Sequence, residues 1–311
     1  MANAPLFQST ESSEVDSHER PPAADIIKKI DTALESMRDS GYDLTAAVGE
    51  PVDNSVEAEA HIIRVQPTYG PKNQSITAIA VADDGIGIAP DLMAHVLSMG
   101  YSTRYGLRGG LGRFGVGMKL AGLSLGRRID VYSKRQNDNQ IWHAYIDLNE
   151  IRNGSQTHIV AEKKVDDWPA ASAELMTDPD GKQFLSGTLV IYGKIDRLTS
   201  GGHYANALDE KISELRTFIA RTYRYYLDKG LKKIELAGKL VTLLDPLFLL
   251  DNPRIIKRYK PLDVRGAIID EADIEIMPGQ EIHVTVSLVP QEFRHQQGLG
   301  GEKGPPGAGH S

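Results

Sequence analysis

Apolar residues recur at helical spacing in three segments of the chain. Between Asp25 and Met37, isoleucine, leucine and methionine fall three or four positions apart on one face of a helix that should end near Ser40. The segment 44–65 predicts a second helix, and the longest such pattern, about 205–227, predicts a third. Each pattern is typical of a helix that buries one face.

Strands are predicted where isoleucine, valine and alanine cluster. The clearest run, Ser75 to Ala82, leads into the Asp83-Asp84 pair and is typical of a buried strand that ends in a loop. A short helix is expected over 90–97, because proline is favoured at a first helical position. Strands alternating with helices predict an α/β (α+β) fold. The other predicted strands are 127–134, 140–148, 158–161, 188–192, 233–236 and 281–289.

The chain of 311 residues exceeds one average domain, so we expect two domains with their own cores. Residues 1–24 are polar and predict a flexible N-terminal arm. The main domain is predicted over 25–198, up to the linker-like sequence Thr-Ser-Gly-Gly at 199–202. A smaller α/β domain over 203–290 and a flexible glycine- and proline-rich tail over 291–311 complete the predicted organisation.

Composition and charge narrow the class of protein. The chain has no cysteine, which excludes disulfides, thiolate metal sites and cysteine nucleophiles. A formal net charge of -7 excludes a surface that is basic throughout, but leaves a local basic patch open. No apolar run approaches the ~18 residues of a membrane-spanning helix, and the N-terminus is unlike a signal sequence. We therefore predict a cytoplasmic protein with no membrane partner.

Two polar motifs carry groups that can share one site. Glu50 and Asn54 are four residues apart and so lie on one helical face. There Asn54 can hold a Mg²⁺ ion through its amide oxygen while Glu50 deprotonates an attacking water. At the end of the predicted strand, Asp83 can accept a hydrogen bond from the amine of adenine, and Gly85 and Gly87 let the backbone approach a ligand. Taken singly, the alternatives are a solvated glutamate and an ordinary Asp-Gly turn.

A glycine-rich loop follows these motifs. Gly112, Gly115 and Gly117 precede an apolar helical run, and amides at a helix N-terminus bind anions such as phosphate. The loop lacks the Gly-Lys-Ser/Thr ending of a Walker loop and the strand–helix context of a dinucleotide fingerprint. Its position after the first two motifs makes ATP the leading ligand.

The three segments resemble the N, G1 and G2 motifs of the GHKL ATPases, the superfamily of gyrase B, heat-shock-90 chaperones, histidine kinases and MutL. Within it the chain most resembles MORC-type ATPases and their bacterial relatives. The residues that carry the resemblance are Asp53-Asn-Ser55 after Glu50, Asp83-x-Gly85-x-Gly87, Met99-Gly-Tyr-Ser-Thr103, Gly112 to Lys119, Leu125-Gly-Arg-Arg128, and Gly187-Thr188 before a strand.

The resemblance implies a Bergerat ATP-binding fold, which is a two-layer α/β sandwich, followed by a transducer-like domain over 203–290. It implies that residues 98–112 form a lid that closes over ATP and promotes a nucleotide-dependent homodimer. The implied activity is Mg²⁺-dependent ATP hydrolysis coupled to action on DNA or on a partner protein.

Residue roles follow from the same resemblance. Glu50 is the implied general base and catalytic residue, Asn54 the Mg²⁺ ligand, and Asp83 the adenine reader supported by Thr188. Lys119 either donates to phosphate or is simply solvated. The implied nucleotide-binding residues are Asn54, Asp83, Gly85, Gly87, Gly112, Arg113, Phe114, Gly115, Val116, Gly117, Met118, Lys119 and Thr188.

Pro51 departs from a regular helix. It follows the implied base and removes an amide donor, which should kink or locally reset the helix. This either aims Glu50 into the site or weakens hydrolysis while leaving binding intact. Two alternatives therefore stay open beside an active ATPase: a nucleotide-gated binding or scaffold module with little hydrolysis, and a heat-shock-90-like chaperone.

Overall fold

The computed structural model describes residues 30–99, 117–164, 167–198, 207–259, 264–290 and 293. Within these ranges the α-helices are α1 (Ile30–Met37), α2 (Leu44–Glu57), α3 (Gly117–Leu125), α4 (Leu148–Asn153), α5 (Ala207–Thr222), α6 (Arg224–Asp228) and α7 (Pro253–Tyr259). The strands are β1 (Ile62–Tyr69), β2 (Ile76–Asp83), β3 (Gly126–Lys134), β4 (Ile141–Asp147), β5 (Glu162–Lys164), β6 (Gly187–Ile195), β7 (Lys233–Leu236), β8 (Lys239–Leu240), β9 (Ala267–Met277) and β10 (Gln280–Leu288).

One mixed sheet of eight strands forms the centre of the molecule, in the order β5-β4-β3-β6-β2-β1-β7-β8. Neighbouring strands are antiparallel, except that β1 and β7 run parallel. The strands β9 and β10 form a separate hairpin. A large sheet covered by helices confirms the predicted α/β fold.

Alternate residues of the central strands pack on opposite sides of the sheet. On β2, Ile79 and Val81 belong to the main hydrophobic core, whereas Ala80 and Ala82 belong to a second cluster that contains Trp168. Helices cover the side with the main core. Because side chains alternate along a strand, every second residue faces these helices. The helix residues in the main core include Ala47, Val48, Val52, Ala121, Leu123, Leu215 and Ile219.

The helix predicted over 44–65 is too long. α2 ends at Glu57, and after a turn in which Glu59 has a φ of +62° the chain enters β1. Ile63 and Val65 are buried in the main core, while their neighbours Ile62, Arg64 and Gln66 are half-buried. The period in this stretch is therefore two, and pairing with β2 on one edge and β7 on the other fixes it as a strand.

Smaller expectations also differ from the structure. The helix predicted over 90–97 is a 3-10 turn at Pro90–Leu92 followed by turns, and the strand expected at 158–161 is replaced by β5. The helical pattern at 205–227 divides at Tyr223 into α5 and α6. The sequence pattern does not predict β9, because four acidic residues interrupt its apolar positions.

The predicted linker at 199–202 lies outside the described residues. Beyond it, β7 pairs with β1, and Leu215 and Ile234 lie in the same core as α2. A second domain that begins at residue 203 does not fit this arrangement, because the chain as far as Val241 completes the core of the first. The transducer-like domain predicted over 203–290 stays a prediction.

Three further predicted segments are largely outside the described residues. These are the N-terminal arm at 1–24, the lid at 98–112 apart from Ser98 and Met99, and the tail at 291–311 apart from Phe293. In the part of the chain that the structure describes, no helix is long and apolar enough to cross a membrane.

Candidate nucleotide site

Three adjacent strands bring polar side chains to one end of the sheet. In the register of β2, β6 and β3, Asp83 is opposite Thr188, and Thr188 is opposite Ser133. Because side chains alternate along a strand, each of the three points toward the helix layer. Each lies two positions from a residue of the main core, namely Val81, Val190 and Val131 respectively.

Asp83 is almost fully buried at this end of the sheet. Its Oδ1 accepts hydrogen bonds from the amides of Gly85 at 2.9 Å and Thr188 at 3.3 Å, and its Oδ2 accepts from the Ser55 hydroxyl at 2.9 Å. Burial raises the pKa of Asp83 to about 6, although these donors favour the charged form. The site thus contains a fixed hydrogen-bond acceptor, which suits a ligand amine.

Ser133 is a site residue that the motifs do not reveal. Its Oγ accepts from the Ile88 amide at 2.9 Å and lies 3.0 Å from the Gly187 carbonyl and 2.9 Å from the Thr188 hydroxyl. One arrangement satisfies every group: Ser133 donates to Gly187, and Thr188 donates to Ser133. Thr188 then presents its lone pairs on its other side. The alternation of apolar residues along β3 is the sequence signal that could have placed Ser133 here.

Glycines allow the loops around these groups to approach closely. Gly87 has a φ of +71° and Gly187 a φ of +148°, and a Cβ on either would overlap a backbone carbonyl of the neighbouring strand. A Cβ on Gly85 would lie 2.7 Å from the carbonyl of Ala58, just after α2. Gly85 and Gly87 are therefore required by backbone packing alone, before any contribution to a ligand is considered.

The helix α2 brings Glu50 to the same region, since its Ser55 bonds to Asp83. Its N-terminus is capped by the Asp43 carboxylate, which accepts a helix amide at 2.7 Å. Half-buried Glu50 lies against the start of α3, where a Cβ on Gly117 would overlap the carboxylate. The structure therefore brings together the first and third of the predicted motifs at Glu50 and Gly117.

The surroundings of Glu50 favour a proton acceptor. Burial, and then the charge of Asp53, raises the pKa of Glu50 above its usual value, while a 3.4 Å hydrogen bond from the Tyr42 hydroxyl lowers it. A carboxylate with a raised pKa is a stronger base and can take a proton from water near neutral pH.

Pro51 is accommodated inside α2, which continues unbroken to Glu57. A regular residue at this position would donate its amide to the carbonyl of Ala47. The buried hydroxyl of Tyr192 lies 3.4 Å from that carbonyl and 3.2 Å from the carbonyl of Met118 on α3. Tyr192 therefore offers a donor near the carbonyl that Pro51 leaves free, and it connects the two helices that meet at Glu50.

Asn54 and Lys119 have different environments. Asn54 is exposed one turn after Glu50, and its side chain makes no hydrogen bond within the described part of the chain. Lys119 is 3% exposed, its Nζ donates to the Ser98 carbonyl at 2.6 Å, and burial lowers its pKa to about 8. The alternative of a solvated Lys119 is therefore wrong, while its contact with phosphate stays a prediction.

The glycine-rich loop is described only from Gly117 onward. Met118 packs partly buried against the main core, and its carbonyl faces Tyr192. The other predicted loop residues, Gly112, Arg113, Phe114, Gly115 and Val116, lie outside the described residues.

Part of the chain matches known proteins in sequence. Residues 42–180 match the family model described as histidine kinase-, DNA gyrase B-, and HSP90-like ATPase. Over 150 residues the chain is 25% identical to Protein MICRORCHIDIA 6 of Arabidopsis thaliana, and the match covers 47% of this chain and 22% of that protein. The chain therefore spans less than a quarter of the length of this relative.

Two solved structures are more distantly similar. The ATPase and transducer domains of DNA topoisomerase II from Balamuthia mandrillaris align with a TM-score of 0.41 and 14% identity, over 64% of this chain and 48% of that one. The ATPase region of Saccharomyces cerevisiae topoisomerase II, bound to ICRF-187 (dexrazoxane), aligns with a TM-score of 0.42 and 14% identity, over 65% and 50%. Residues 42–180 of this chain therefore carry the sequence pattern of the GHKL ATPases, and part of the chain is related in sequence to a MORC protein.

Proposed function

We propose that this chain binds ATP with Mg²⁺ and hydrolyses it. The strongest support is the paired placement of Asp83 and Thr188 on adjacent strand ends, beside the helix that carries Glu50. The fixed acceptor at Asp83 suits the amine of adenine, which can donate a hydrogen bond to it. Guanine has a carbonyl at the same position, and a carbonyl has no hydrogen to donate. Membership of the ATPase family supports the same ligand.

Each group has a distinct task in the proposed reaction. Asp83 and Thr188 hold the adenine, and the loop up to Gly117 holds the phosphates with its amides. Glu50 accepts a proton from the attacking water at its carboxylate. Asn54 fits a Mg²⁺ ion, because its exposed amide oxygen is a hard ligand one helical turn from Glu50. A bound Mg²⁺ supplies positive charge that neutralises the phosphates.

The proposal predicts that ATP stabilises the purified protein against unfolding and that the protein hydrolyses it. With Mg²⁺ present, saturating ATP should raise the Tm by at least about 3 °C, whereas GTP should raise it by less than about 1 °C. Phosphate release should accompany ATP and depend on Mg²⁺. Failure of ATP to shift the Tm would contradict the proposed ligand.

Phosphate release also separates an ATPase from a nucleotide-gated binding module. Both require the Tm shift, but only the first releases phosphate faster than a Glu50→Gln variant does. We favour the ATPase because α2 continues through Pro51 and keeps Glu50 beside Gly117.

We further propose that ATP closes the lid over 98–112 and joins two copies of the chain, and that closure acts on DNA or on a partner protein. A non-hydrolysable ATP analogue with Mg²⁺ should double the mass measured by light scattering, and Asp83→Asn should stay at the mass of the nucleotide-free protein. An unchanged mass at saturating analogue, with binding verified by the Tm shift, would overturn the dimer and leave ATP binding intact.

A further inference from the structure

Tyr223 links the helix of the proposed base to a part of the chain beyond the family match. It lies at the junction of α5 and α6 and is 3% exposed. α5 crosses α2 closely, since a Cβ on Gly49 would lie 3.3 Å from the ring of Phe218. Ile219 of α5 lies in the same core as α2. This close crossing brings the end of α5 to the turn of α2 that contains Asp53.

The contact between Tyr223 and α2 is a short hydrogen bond. The Tyr223 hydroxyl donates to Oδ1 of Asp53 at 2.6 Å and lies 3.4 Å from the carbonyl of Gly49. Asp53 follows Glu50 by three residues and precedes Asn54, so it belongs to the helical turn that carries both groups. A hydrogen bond to a carboxylate is among the stronger ones in proteins, and this one, between a buried tyrosine and a half-buried carboxylate, links α2 to the end of α5.

Asp53 is close enough to Glu50 for its charge to matter. The Asp53 carboxylate is half-buried, burial raises its pKa, and the Tyr223 hydroxyl lowers that pKa. The charge of Asp53 in turn raises the pKa of Glu50. A shift in the orientation of Asp53 would therefore disturb the helical turn that also carries Glu50 and Asn54.

The residue after Tyr223 forms an ion pair with a later part of the chain. The guanidinium of the next residue, Arg224, lies 3.4 Å from a carboxylate oxygen of Asp245. The Asp245 carboxylate accepts the amides of Leu249 and Leu250, both at 2.8 Å. The end of α5 thus contacts α2 through the hydrogen bond of Tyr223, and the loop after β8 through the ion pair of Arg224.

We propose that Tyr223 is a positioning residue for hydrolysis: its hydroxyl holds the Asp53 carboxylate, and with it the turn that carries Glu50 and Asn54. The inference rests on the proposed ATPase function. It places a determinant of turnover outside residues 42–180, in a segment that the family motifs do not cover.

The test removes one oxygen atom. Tyr223→Phe keeps the ring and should lower kcat for ATP about 10-fold while the Kd for ATP, measured by calorimetry with Mg²⁺, changes less than about 3-fold. The matched control is Tyr226→Phe, since Tyr226 is 38% exposed three residues later. We expect this control to match the wild type in kcat, Kd and Tm.

A second variant keeps the test decisive. If Tyr223 acts through Asp53, then Asp53→Ala should lower kcat as well. The double variant, Asp53→Ala with Tyr223→Phe, should then have a kcat less than about 2-fold below that of Asp53→Ala alone. The inference would be overturned if the two substitutions lowered kcat independently, so that their fold-changes multiplied in the double variant. A Tyr223→Phe protein with a lower Tm but wild-type kcat would overturn it too. Should Tyr223→Phe not fold, wild-type kcat in Asp53→Ala would overturn the inference and a reduced kcat with unchanged Kd would support it. A wild-type protein that neither binds nor hydrolyses ATP would instead refute the proposed function.

Discussion

Replacing Glu50 with glutamine is expected to lower kcat for ATP hydrolysis at least about 100-fold while the Kd for ATP changes less than about 3-fold. Glutamine keeps the size of the side chain and can fill the space against Gly117, but it cannot accept a proton. The loss should therefore fall on the chemical step. Phosphate release under saturating ATP and calorimetric binding measure the two quantities separately.

The matched control for this prediction is Glu59→Gln. It makes the same chemical change at an exposed position beyond α2, and it should leave kcat unchanged. Steady hydrolysis by Glu50→Gln at the wild-type rate would rule out Glu50 as the base.

The pH dependence of ATP hydrolysis by the wild-type protein provides a second check on Glu50. The base must be ionised to act, and burial raises its pKa above the ordinary value of 4.5. The rate should therefore fall as the pH is lowered through this raised pKa, at a higher pH than an exposed glutamate would give.

Replacing Asp83 with asparagine is expected to weaken ATP binding at least about 100-fold and, at the same time, to stabilise the nucleotide-free protein. The oxygen of asparagine can accept the amides of Gly85 and Thr188. Its NH₂ group can donate to Ser55, whose hydrogen then goes to the Pro51 carbonyl at 2.9 Å. Every polar group stays paired, but a donor can now face the adenine amine, which is also a donor.

The stabilisation follows from the pKa of Asp83. Burial raises this pKa from 3.8 to about 6, so the folded protein binds an extra proton between these values. Folding stability therefore falls as the pH rises through this window, and above pH 6 the ionised group costs on the order of 2–3 kcal/mol. Asparagine should remove most of this cost at pH 7.5, and urea unfolding of both proteins between pH 4 and pH 7.5 measures the difference.

Asp84→Asn is the control for Asp83→Asn. Asp84 accepts the amides of His61 at 2.6 Å and Ile62 at 2.7 Å, bonds that an asparagine oxygen can keep. ATP affinity should therefore be unchanged in this variant. Wild-type affinity in Asp83→Asn would show that the base is not read by residue 83.

Much of the candidate site could be predicted because its signals are local. Glu50 and Asn54 share a helical face through their spacing alone, and Asp83 ends a strand whose apolar run is continuous. Ser133 is harder to predict, because the alternation along β3 can place it on the helix-facing side of the sheet but says nothing about its partners. Its role depends on Thr188, 55 residues later in the sequence.

The error in the predicted end of α2 has a similar cause. The residues of β1 are compatible with a helix or a strand when read alone, and Pro67 within β1 weakens the signal for a strand. Pairing with β2 and β7 decides the matter, and β7 lies more than 160 residues further along the chain. Long-range pairing of this kind leaves little trace in a local pattern.

The sequence by itself determined the family, the order of its motifs and the chemistry that each can perform, because residue type and short-range spacing fix these properties. Only the tertiary structure decided which groups meet. It placed Ser133 beside Thr188, Tyr192 near the carbonyl that Pro51 leaves free, and the Tyr223 hydroxyl against Asp53. The physical reason is that hydrogen bonds and burial join residues far apart in the chain, and the register of strands and the crossing of helices set those contacts.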